Sequence, residues 1–556
     1  MVSALRRGSI SSYLLPPSYN RTSGWSLRFR WNSNTSDTTG ATTNAPCLHG
    51  RDYRFAICGA GPAGFYAAYR LLNVQDSQNI SVNLFEGLPT PFGLSRYGVA
   101  PDHPEVKNCE RRFEEVAKDR RFRFFGNTWL AENDGKSAKR NQRSASVTIQ
   151  DLRDCYDAVI LAYGAGLDQT LGGIPGENQF ENVISARQVV NWYNGYPANN
   201  QEEEEKQQFV DLSRVRHVTI IGHGNVSLDI ARILLKDPDL LSNTDISHRA
   251  LQFLGKSSVR HVDIVGRRGP LQVSFTTKEL RELIRLDGLS LSLDSEIVSD
   301  ALQRISRPGS LDQTTNSRLH RRVLDLMMTK GLDDKNPLLC NRLRTRSWSL
   351  KFLRSPVAFH PTATDISTSE KYGRRRVGSI EWRANELCYP PFDEVLDHTS
   401  ISSRPVQSEK SFKTDTDLVI KSLGFRSLAI GSIPYDSEKS CVTHDDGRII
   451  DKDGHHVEPL YVTGWLSSGS KGVIGATMYD SFRTVDRMVR DVVGKDVGGR
   501  RAFGMKPIEI SGEDFVVGWE RWKMIDEHER RVGARVGKPR EKVLRVDEML
   551  KIAGIL

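Results

Sequence analysis

Residues 53–87 read YRFAICGAGPAGFYAAYRLLNVQDSQNISVNLFEG, and this stretch decides the fold. The apolar run 54–57 predicts a strand, and Gly59, Gly61 and Gly64 follow it in the spacing G-x-G-x-x-G. Apolar residues then recur at helical spacing, and a second apolar run, 81–85, ends at Glu86. Strand, glycine turn, helix and strand in this order predict a βαβ unit of a doubly wound α/β fold.

The three glycines have a chemical reason as well as a conformational one. They allow a tight turn and a close approach of the backbone to a pyrophosphate, which binds at the positive end of the helix. Glu86 can accept hydrogen bonds from ribose hydroxyls, and its charge would repel a 2′-phosphate. The unit therefore suits the ADP half of FAD or NAD; the alternative is a glycine-rich turn without a ligand.

A second unit, RHVTIIGHGNVSLDIARILL at 216–235, repeats this pattern with Gly222, Gly224 and Ser227 at the three turn positions. The strand that follows it, 261–265, ends in Gly266, Arg267 and Arg268 instead of an acid. Guanidinium groups bind phosphate oxygens in a forked geometry, so this pair is expected to bind the 2′-phosphate of NADP(H). The alternative is two solvated arginines on a loop.

The sequence after the second unit predicts how the two sites share the chain. It returns with DTDLVIKSLGFRS at 415–427, and a glycine-rich turn opens a helix within 458–489. We expect two Rossmann-like domains: a discontinuous FAD-binding domain, 51–160 and 415–556, with an NADP-binding domain, 161–414, inserted into it. Four polar segments predict surface loops: 132–146, 199–208, 306–317 and 402–417.

Composition excludes several classes of protein. With 556 residues, 38% apolar and 26% charged, the chain is a globular protein of two or more domains, and no apolar run is long enough to span a membrane. Its cysteines are scattered at 47, 58, 109, 155, 340, 388 and 441, without a C-x-x-C pair. This spacing argues against a disulfide framework, a zinc site and a protein-bound iron–sulfur cluster, so no metal ligands are predicted.

The N-terminal region differs from the rest of the chain. Residues 1–40 hold five arginines and a single acid, Asp37, among many serines and threonines, which is typical of an organelle transit peptide. We expect 1–50 to be a mitochondrial presequence and tail, ending before Tyr53; the alternative is a disordered basic tail. The pI of about 9.1 raises nucleic-acid binding as another class, but no binding module supports it.

Several long motifs carry a family resemblance. GPAGFYAA (61–68), PFGLSRYGVAPDHPEVKN (91–108), GNVSLDIARILL (224–235), GRRGPLQV (266–273), GWLSSGSKGVIGATMYDSF (464–482) and GKPREKVLRVDEML (537–550) resemble the adrenodoxin reductases, mitochondrial NADPH-dependent ferredoxin reductases. The resemblance runs from about residue 54 to the C-terminus. It implies an enzyme that passes electrons from NADPH through FAD to a [2Fe-2S] ferredoxin in the mitochondrial matrix, with attachment to the inner membrane left open. The alternative is another NADPH-dependent FAD oxidoreductase, such as a monooxygenase or an electron-input subunit.

The resemblance also implies site residues. To the glycines and Glu86 it adds FAD contacts at Ala63, Leu94, Leu130, Trp465, Gly472, Val473 and Ile474. It implies NADP contacts at His223, Gly224, Asn225, Val226, Arg267, Arg268, Glu279 and Gly472. Leu94 and Leu130 could instead be core residues, and Glu279 a solvated helix residue.

Two further sets of residues follow from the resemblance. His103 and Asp229 are expected near the flavin as a pair, bonded directly or through water, that supports proton handling. Arg281, Arg318, Arg321 and Arg322 are expected to dock the acidic ferredoxin. His223 stands where the family commonly has Gln or Asn, and our hypothesis is that NADPH affinity depends on its protonation.

Overall fold

The computed structural model describes residues 51–75, 77–131, 143–206, 210–305, 315–335, 345–362, 375–388, 402–406, 411–470, 472, 474–497 and 507–556. The expected presequence, 1–50, lies outside them, as does Val473. No helix in these ranges is long and apolar enough to span a bilayer.

The first sheet has seven strands, and its core carries the first glycine turn. Their order is His444–Asp445, Arg448–Ile450, His456–Val462, Ala158–Leu161, Tyr53–Cys58, Ile80–Phe85 and Phe122–Phe125. The last five of these run parallel. Tyr53–Cys58 is buried at five of its six positions, as expected for a parallel strand covered on both faces.

The second sheet has six parallel strands and carries the second glycine turn. Their order is Leu289–Leu293, Arg346–Lys351, His261–Val265, His217–Ile221, Leu418–Lys421 and Val183–Ser185. The predicted domain boundary at 415 is wrong in this respect, because Leu418–Lys421 pairs with His217–Ile221 and so belongs to the second sheet. The apolar run LVI fits a buried strand of either sheet, so the sequence pattern could not assign it.

A third, antiparallel sheet overturns one loop prediction. Val377–Cys388 pairs with Arg354–Pro361, Ser402–Pro405 and Phe412–Asp415. The last two strands lie in 402–417, which was expected to be a surface loop. Strand pairing is made by backbone groups, and these two strands are largely exposed, so no apolar alternation marks them in the sequence.

Three two-stranded pairs complete the strands of the described residues: Leu167–Asp168 with Phe425–Arg426, Tyr435–Asp436 with Cys441–Val442, and Thr128–Ala131 with Ala145–Thr148. The α-helices in the same ranges are Pro62–Leu72, Gly93–Tyr97, Cys109–Ala117, Ile149–Cys155, Ala186–Asn194, Gln201–Lys206, Asn225–Leu235, His248–Gly255, Thr277–Ile284, Ser295–Ile305, Thr315–Lys335, Trp465–Ser468, Ile474–Val497, Trp519–Ala534 and Val546–Ile552. Gln201–Lys206 and the start of Thr315–Lys335 lie in segments predicted as loops. Both segments are polar, so no apolar residues recur at helical spacing to mark them as helices in the sequence.

Candidate functional site: two glycine turns and the contact between them

The first glycine turn is shaped by close backbone contacts. Gly59 has a φ of +114°, and a Cβ there would lie 2.4 Å from the carbonyl oxygen of Ala162. A Cβ on Gly64 would lie 1.9 Å from the carbonyl oxygen of Gly59. A Cβ on Gly61 would meet no atom within 4 Å, and no side chain caps the helix that begins after it. The turn is therefore tight on its protein side and open at the helix N-terminus, as a pyrophosphate site requires.

Glu86 faces this turn from the end of the neighbouring strand. Its carboxylate accepts hydrogen bonds from the backbone N–H groups of Ala60, at 2.8 Å, and Leu88, at 3.1 Å. Burial raises the pKa of this carboxyl, while the N–H donors act in the opposite direction. A carboxylate has about four acceptor positions, so the two bonds fix its orientation and leave capacity for ribose hydroxyls.

The other residues expected at the first site lie around the same turn. A Cβ on Gly464, the residue before Trp465, would lie 2.6 Å from the Cβ of Ala63. Leu94 lies on a short helix whose first residue, Gly93, approaches Gly61. Leu130 and Trp465 are partly buried, whereas Gly472 is exposed with a φ of +84°. Ile474 begins the helix Ile474–Val497, which packs against Pro62–Leu72, so residues from both ends of the chain meet here.

The second glycine turn repeats the geometry of the first. Gly222 has a φ of +132°, and a Cβ there would lie 2.1 Å from the carbonyl oxygen of Ser422. A Cβ on Gly224 would meet nothing within 4 Å, and no side chain caps the helix Asn225–Leu235. The hydroxyl-bearing Ser227 at the third position is fully buried. Asn225 accepts a hydrogen bond from the Thr276 backbone N–H at 2.8 Å, and Thr276 donates to Glu279, so Glu279 is held beside this turn.

Gly266 is the residue of the second sheet that corresponds to Glu86 in the first, and Arg267 and Arg268 follow it directly. Both side chains are exposed. Burial of part of Arg268 and the like charge of Arg267 lower the pKa of Arg268. No described carboxylate lies within ion-pairing distance of either guanidinium group. Two neighbouring cations without a counter-charge among the described residues favour the binding of an anion.

His223 is partly buried beside the arginines, and its surroundings argue against the hypothesis that it titrates near neutral pH. Its Nε2 lies 3.2 Å from the Ile264 carbonyl oxygen, and its ring packs edge-on against Phe352 at 5.0 Å. A Cβ on Gly266 would lie 2.4 Å from the imidazole Nδ1. Burial lowers the pKa of His223 to about 4, so the ring is neutral at physiological pH.

Charged residues join the two halves of the molecule between the glycine turns. His103 Nε2 lies 2.9 Å from Oε2 of Glu282 and 3.8 Å from Oδ1 of Asp229. Asp229 in turn contacts Nη1 of Arg232 at 2.7 Å, and Arg232 also binds Asp102 through Nε at 2.9 Å. Burial raises the pKa of both Asp229 and Glu282, and the charges of Arg232 and His103 oppose this effect. The expected pair is therefore brought together, but the acids nearest to His103 are Glu282, at 2.9 Å from Nε2, and Glu105, whose Oε1 lies 3.1 Å from Nδ1.

Sequence reasoning missed Glu282. It lies three residues after Glu279 on the helix Thr277–Ile284, and the neighbouring sequence does not show which of the two acids contacts His103. Helical spacing shows that Glu279 and Glu282 lie near one another, but the contact with His103 is formed across the fold.

A metal-like cluster lies at the other end of the second sheet. His217, His261 and Asp263 have ligand atoms within 4.8 Å of one another. Asp263 already accepts hydrogen bonds from both imidazoles, at 2.8 Å, and from the Lys351 ammonium, at 2.6 Å. These donors lower the pKa of Asp263, and the group is best described as an ion-pair cluster.

Comparison with known proteins agrees with this geometry. Residues 53–286 match the family described as pyridine nucleotide-disulphide oxidoreductase. The mitochondrial NADPH:adrenodoxin oxidoreductase of Salvelinus fontinalis is 36% identical over 520 residues, which cover 90% of this chain and 91% of that protein. The human protein of the same name is 36% identical, with 90% and 92% covered. The chain belongs to the NADPH:adrenodoxin oxidoreductase family.

The chain is also similar to a bacterial protein. The NADPH-ferredoxin reductase FprA of Mycobacterium tuberculosis is 35% identical to this chain, with 90% of this chain and 99% of FprA covered. The solved structure of FprA in complex with NADPH superposes with a TM-score of 0.74 at 32% identity, covering 90% of this chain and all of FprA. The two Rossmann-like domains expected from the sequence are thus confirmed as the fold.

The described residues fit the two cofactors of this NADPH:adrenodoxin oxidoreductase family member, FAD and NADPH. Each glycine turn is open at its second glycine, where a bound pyrophosphate would lie, and closed at its first. An acid follows the strand beside one turn, and an arginine pair without a counter-charge among the described residues follows the strand beside the other. FAD lacks a 2′-phosphate and NADPH carries one, so the two turns differ as the two cofactors do.

Proposed function

We propose that this protein transfers electrons from NADPH, through bound FAD, to a [2Fe-2S] ferredoxin. The observation that carries the proposal is the contrast between Glu86 and the Arg267–Arg268 pair at equivalent ends of two similar units. This contrast matches the first site with FAD and the second with NADPH. Bound FAD would supply the required chemistry, since it accepts two electrons together and gives them up singly.

The chain's own residues bind and orient the two nucleotides. Gly61 and Gly224 leave room for a pyrophosphate at a helix N-terminus, where backbone N–H groups and the helix dipole favour negative charge. Glu86 would accept the ribose hydroxyls of the first nucleotide, and Arg267 and Arg268 would bind the 2′-phosphate of the second. Ala63, Leu94, Leu130, Trp465 and Ile474 would contact FAD, and His223, Asn225, Val226 and Glu279 would contact NADPH; Gly472 is proposed for both.

His103, Glu282 and Asp229 are proposed to hold the proton that accompanies electron transfer. The 2.9 Å contact between His103 and Glu282 provides a donor and an acceptor, and the raised pKa of Glu282 makes proton exchange with an imidazole easier. Arg232 fixes Asp229 at 2.7 Å, which keeps a second acid close to the imidazole. Their place between the two glycine turns supports this role.

Four exposed arginines are proposed as the ferredoxin docking face. Arg281 lies on Thr277–Ile284, and Arg318, Arg321 and Arg322 lie on Thr315–Lys335, which packs against it. Within the described ranges no carboxylate pairs with any of the four. An unpaired basic face attracts an acidic partner and raises the association rate at low salt.

The docking face is tested by charge reversal. We expect Arg321→Glu to slow ferredoxin-dependent cytochrome reduction at low salt while leaving NADPH-dependent reduction of a small dye unchanged. Arg535→Glu, at an exposed arginine after the helix Trp519–Ala534, is the matched control. An equal loss in both assays, or in both variants, would contradict the docking proposal.

The mitochondrial matrix is proposed as the location, with attachment to its inner membrane as a finer possibility. Its support is the arginine-rich, acid-poor composition of residues 1–40 and the mitochondrial names of relatives such as the human protein. Import of the full chain into isolated mitochondria, followed by lysis and separation of soluble and membrane fractions at low salt, tests both points. Protein that stays outside rejects the matrix, and protein recovered wholly in the soluble fraction rejects membrane attachment.

The whole proposal is tested by stopped-flow reduction of the purified protein. We expect the flavin absorbance to bleach rapidly with NADPH and slowly with NADH, and the reduced protein to pass electrons to a [2Fe-2S] ferredoxin. Bleaching without transfer to any ferredoxin would favour the alternative of a monooxygenase or electron-input subunit. No bleaching with NADPH would reject the reductase function.

A further inference from the structure

The loop that carries the two arginines is held by three successive carbonyl groups. The Gly266 oxygen accepts a hydrogen bond from the Arg354 N–H at 3.1 Å, and the Arg268 oxygen accepts one from the Leu353 N–H at 3.3 Å. The Arg267 oxygen between them accepts its bond from Nδ2 of Asn385, at 2.8 Å. Two of these anchors are backbone groups, whereas the third depends on the identity of one side chain.

Asn385 is well placed to serve as a rigid anchor. It lies on Val377–Cys388 of the third sheet and is 7% exposed. Its Nδ2 also donates to Ser355 Oγ at 2.9 Å, and its backbone N–H donates to the Leu353 oxygen at 2.8 Å. Both donors of the carboxamide are thus used. Leu387, two residues further along the same strand, packs against Gly269. A Cβ on Gly269 would lie 2.7 Å from the Leu387 side chain.

Leu353 shows that the surrounding backbone is also constrained. It has a φ of +56°, in the left-handed region that a leucine rarely adopts. The residue stays there because its N–H is bonded to Arg268 and its carbonyl to Asn385. The loop 266–268 is therefore fixed against the third sheet through one short network that includes the Asn385 side chain.

We propose that Asn385 is a positioning residue for coenzyme selection: it fixes the backbone of Arg267, and thereby the arginine pair, for the 2′-phosphate of NADPH. The inference rests on the proposed use of NADPH. The arginine side chains are exposed and meet no described carboxylate, so their placement depends on the backbone that carries them. A guanidinium group that moves by a fraction of an ångström loses the forked geometry that makes it selective.

Asn182 provides a matched control. It is fully buried, and its Nδ2 donates to the carbonyl oxygens of Val377 at 3.1 Å and Asp417 at 2.7 Å. It therefore ties the start of the same strand, Val377–Cys388, to the second sheet without touching the loop 266–268. Asn182→Ala should loosen the third sheet in general, whereas Asn385→Ala should release the arginine loop.

The experiment measures nucleotide binding to the flavin-loaded protein by isothermal titration calorimetry, with 2′,5′-ADP and 5′-AMP as probes. We expect Asn385→Ala to weaken 2′,5′-ADP binding roughly threefold to tenfold, as for one or two lost hydrogen bonds, and to leave 5′-AMP binding unchanged. In dye reduction the KM for NADPH should rise while kcat and the KM for NADH stay constant. Asn385→Ser, which keeps one donor, should give an intermediate result.

The outcomes separate the inference from the proposed function. A ratio of 2′,5′-ADP to 5′-AMP affinity that is unchanged in Asn385→Ala, or lowered equally in Asn182→Ala, overturns the positioning role. Should Asn385→Ala fail to fold, Asn385→Ser carries the test, and an unchanged ratio there is equally decisive. Wild-type protein that binds the two probes equally would instead reject the proposed use of NADPH.

Discussion

Replacing both Arg267 and Arg268 by alanine should change which coenzyme the protein uses. Each arginine is exposed and without a described acidic partner, so each can bind a 2′-phosphate. Because both side chains are exposed, solvent weakens the interaction of each with the phosphate. We therefore reduce the usual contribution of a charge-assisted hydrogen bond for solvent screening, to about 1 to 1.5 kcal/mol per arginine. Together they contribute about 2 to 3 kcal/mol, which is roughly a 30-fold to 150-fold rise in the KM for NADPH.

The KM for NADH should stay the same, because NADH has no 2′-phosphate. Dye reduction by each coenzyme measures both constants, and Arg285→Ala, at an exposed arginine after the neighbouring helix, is the control. The wild-type KM for NADPH should also rise with salt, whereas that of the double variant should be nearly flat. The thermal stability should not fall, since the change removes two neighbouring like charges, and burial together with the charge of Arg267 already lowers the pKa of Arg268. A parallel rise of the two KM values would refute the reasoning.

Three further perturbations test other parts of the site. Gly64→Ala should yield protein without flavin absorbance and with a lower Tm, because its Cβ would lie 1.9 Å from the Gly59 oxygen. Gly61→Ala should weaken FAD binding but leave the Tm of the apoprotein unchanged, since a Cβ there meets no atom within 4 Å. A normal flavin content in Gly64→Ala would contradict the packing argument. His223→Gln should leave the pH profile of the KM for NADPH unchanged between pH 6 and 9, as the His223 pKa is about 4; a profile altered near neutrality would show that the imidazole titrates. His103→Gln and Glu282→Gln should each slow flavin reduction about tenfold or more, and the double variant should be little slower than either. Additive losses in stopped-flow traces would show that the two residues act separately.

The two strand–glycine–helix units were within reach of sequence reasoning because each is local. The predicted strands 54–57, 218–221 and 261–265 correspond to Tyr53–Cys58, His217–Ile221 and His261–Val265. Close packing at Gly59, Gly64 and Gly222 leaves no room for a Cβ, so only glycine fits and the turn can be recognised from the sequence. Arg267 and Arg268, which we propose to bind the coenzyme, were equally visible, since they follow a strand that the apolar pattern marks.

Contacts formed across the fold could not be read in this way. Glu282 and Asn385 acquire their partners from strands and loops that lie far away in the sequence, and neither stands in a pattern that distinguishes it from its neighbours. Exposed strands such as Ser402–Pro405 bury too little for a period of two to appear. His223 is a similar case, because a histidine in a turn suggests an imidazole that is protonated near neutral pH, whereas its contacts with Phe352 and Gly266 disfavour the charged form.

The strand order of the first sheet also determines when each half of the protein can become native during synthesis. All six strands of the second sheet lie between Val183 and Lys421, whereas three of the seven strands of the first, including His456–Val462 beside Ala158–Leu161, come later in the chain. We expect nascent chains stalled after Lys421 to protect the second sheet from protease while Tyr53–Cys58 and its neighbours are still cleaved. Simultaneous protection of both would contradict this order. The ribosome would then build the coenzyme-selecting half before the half that retains the flavin.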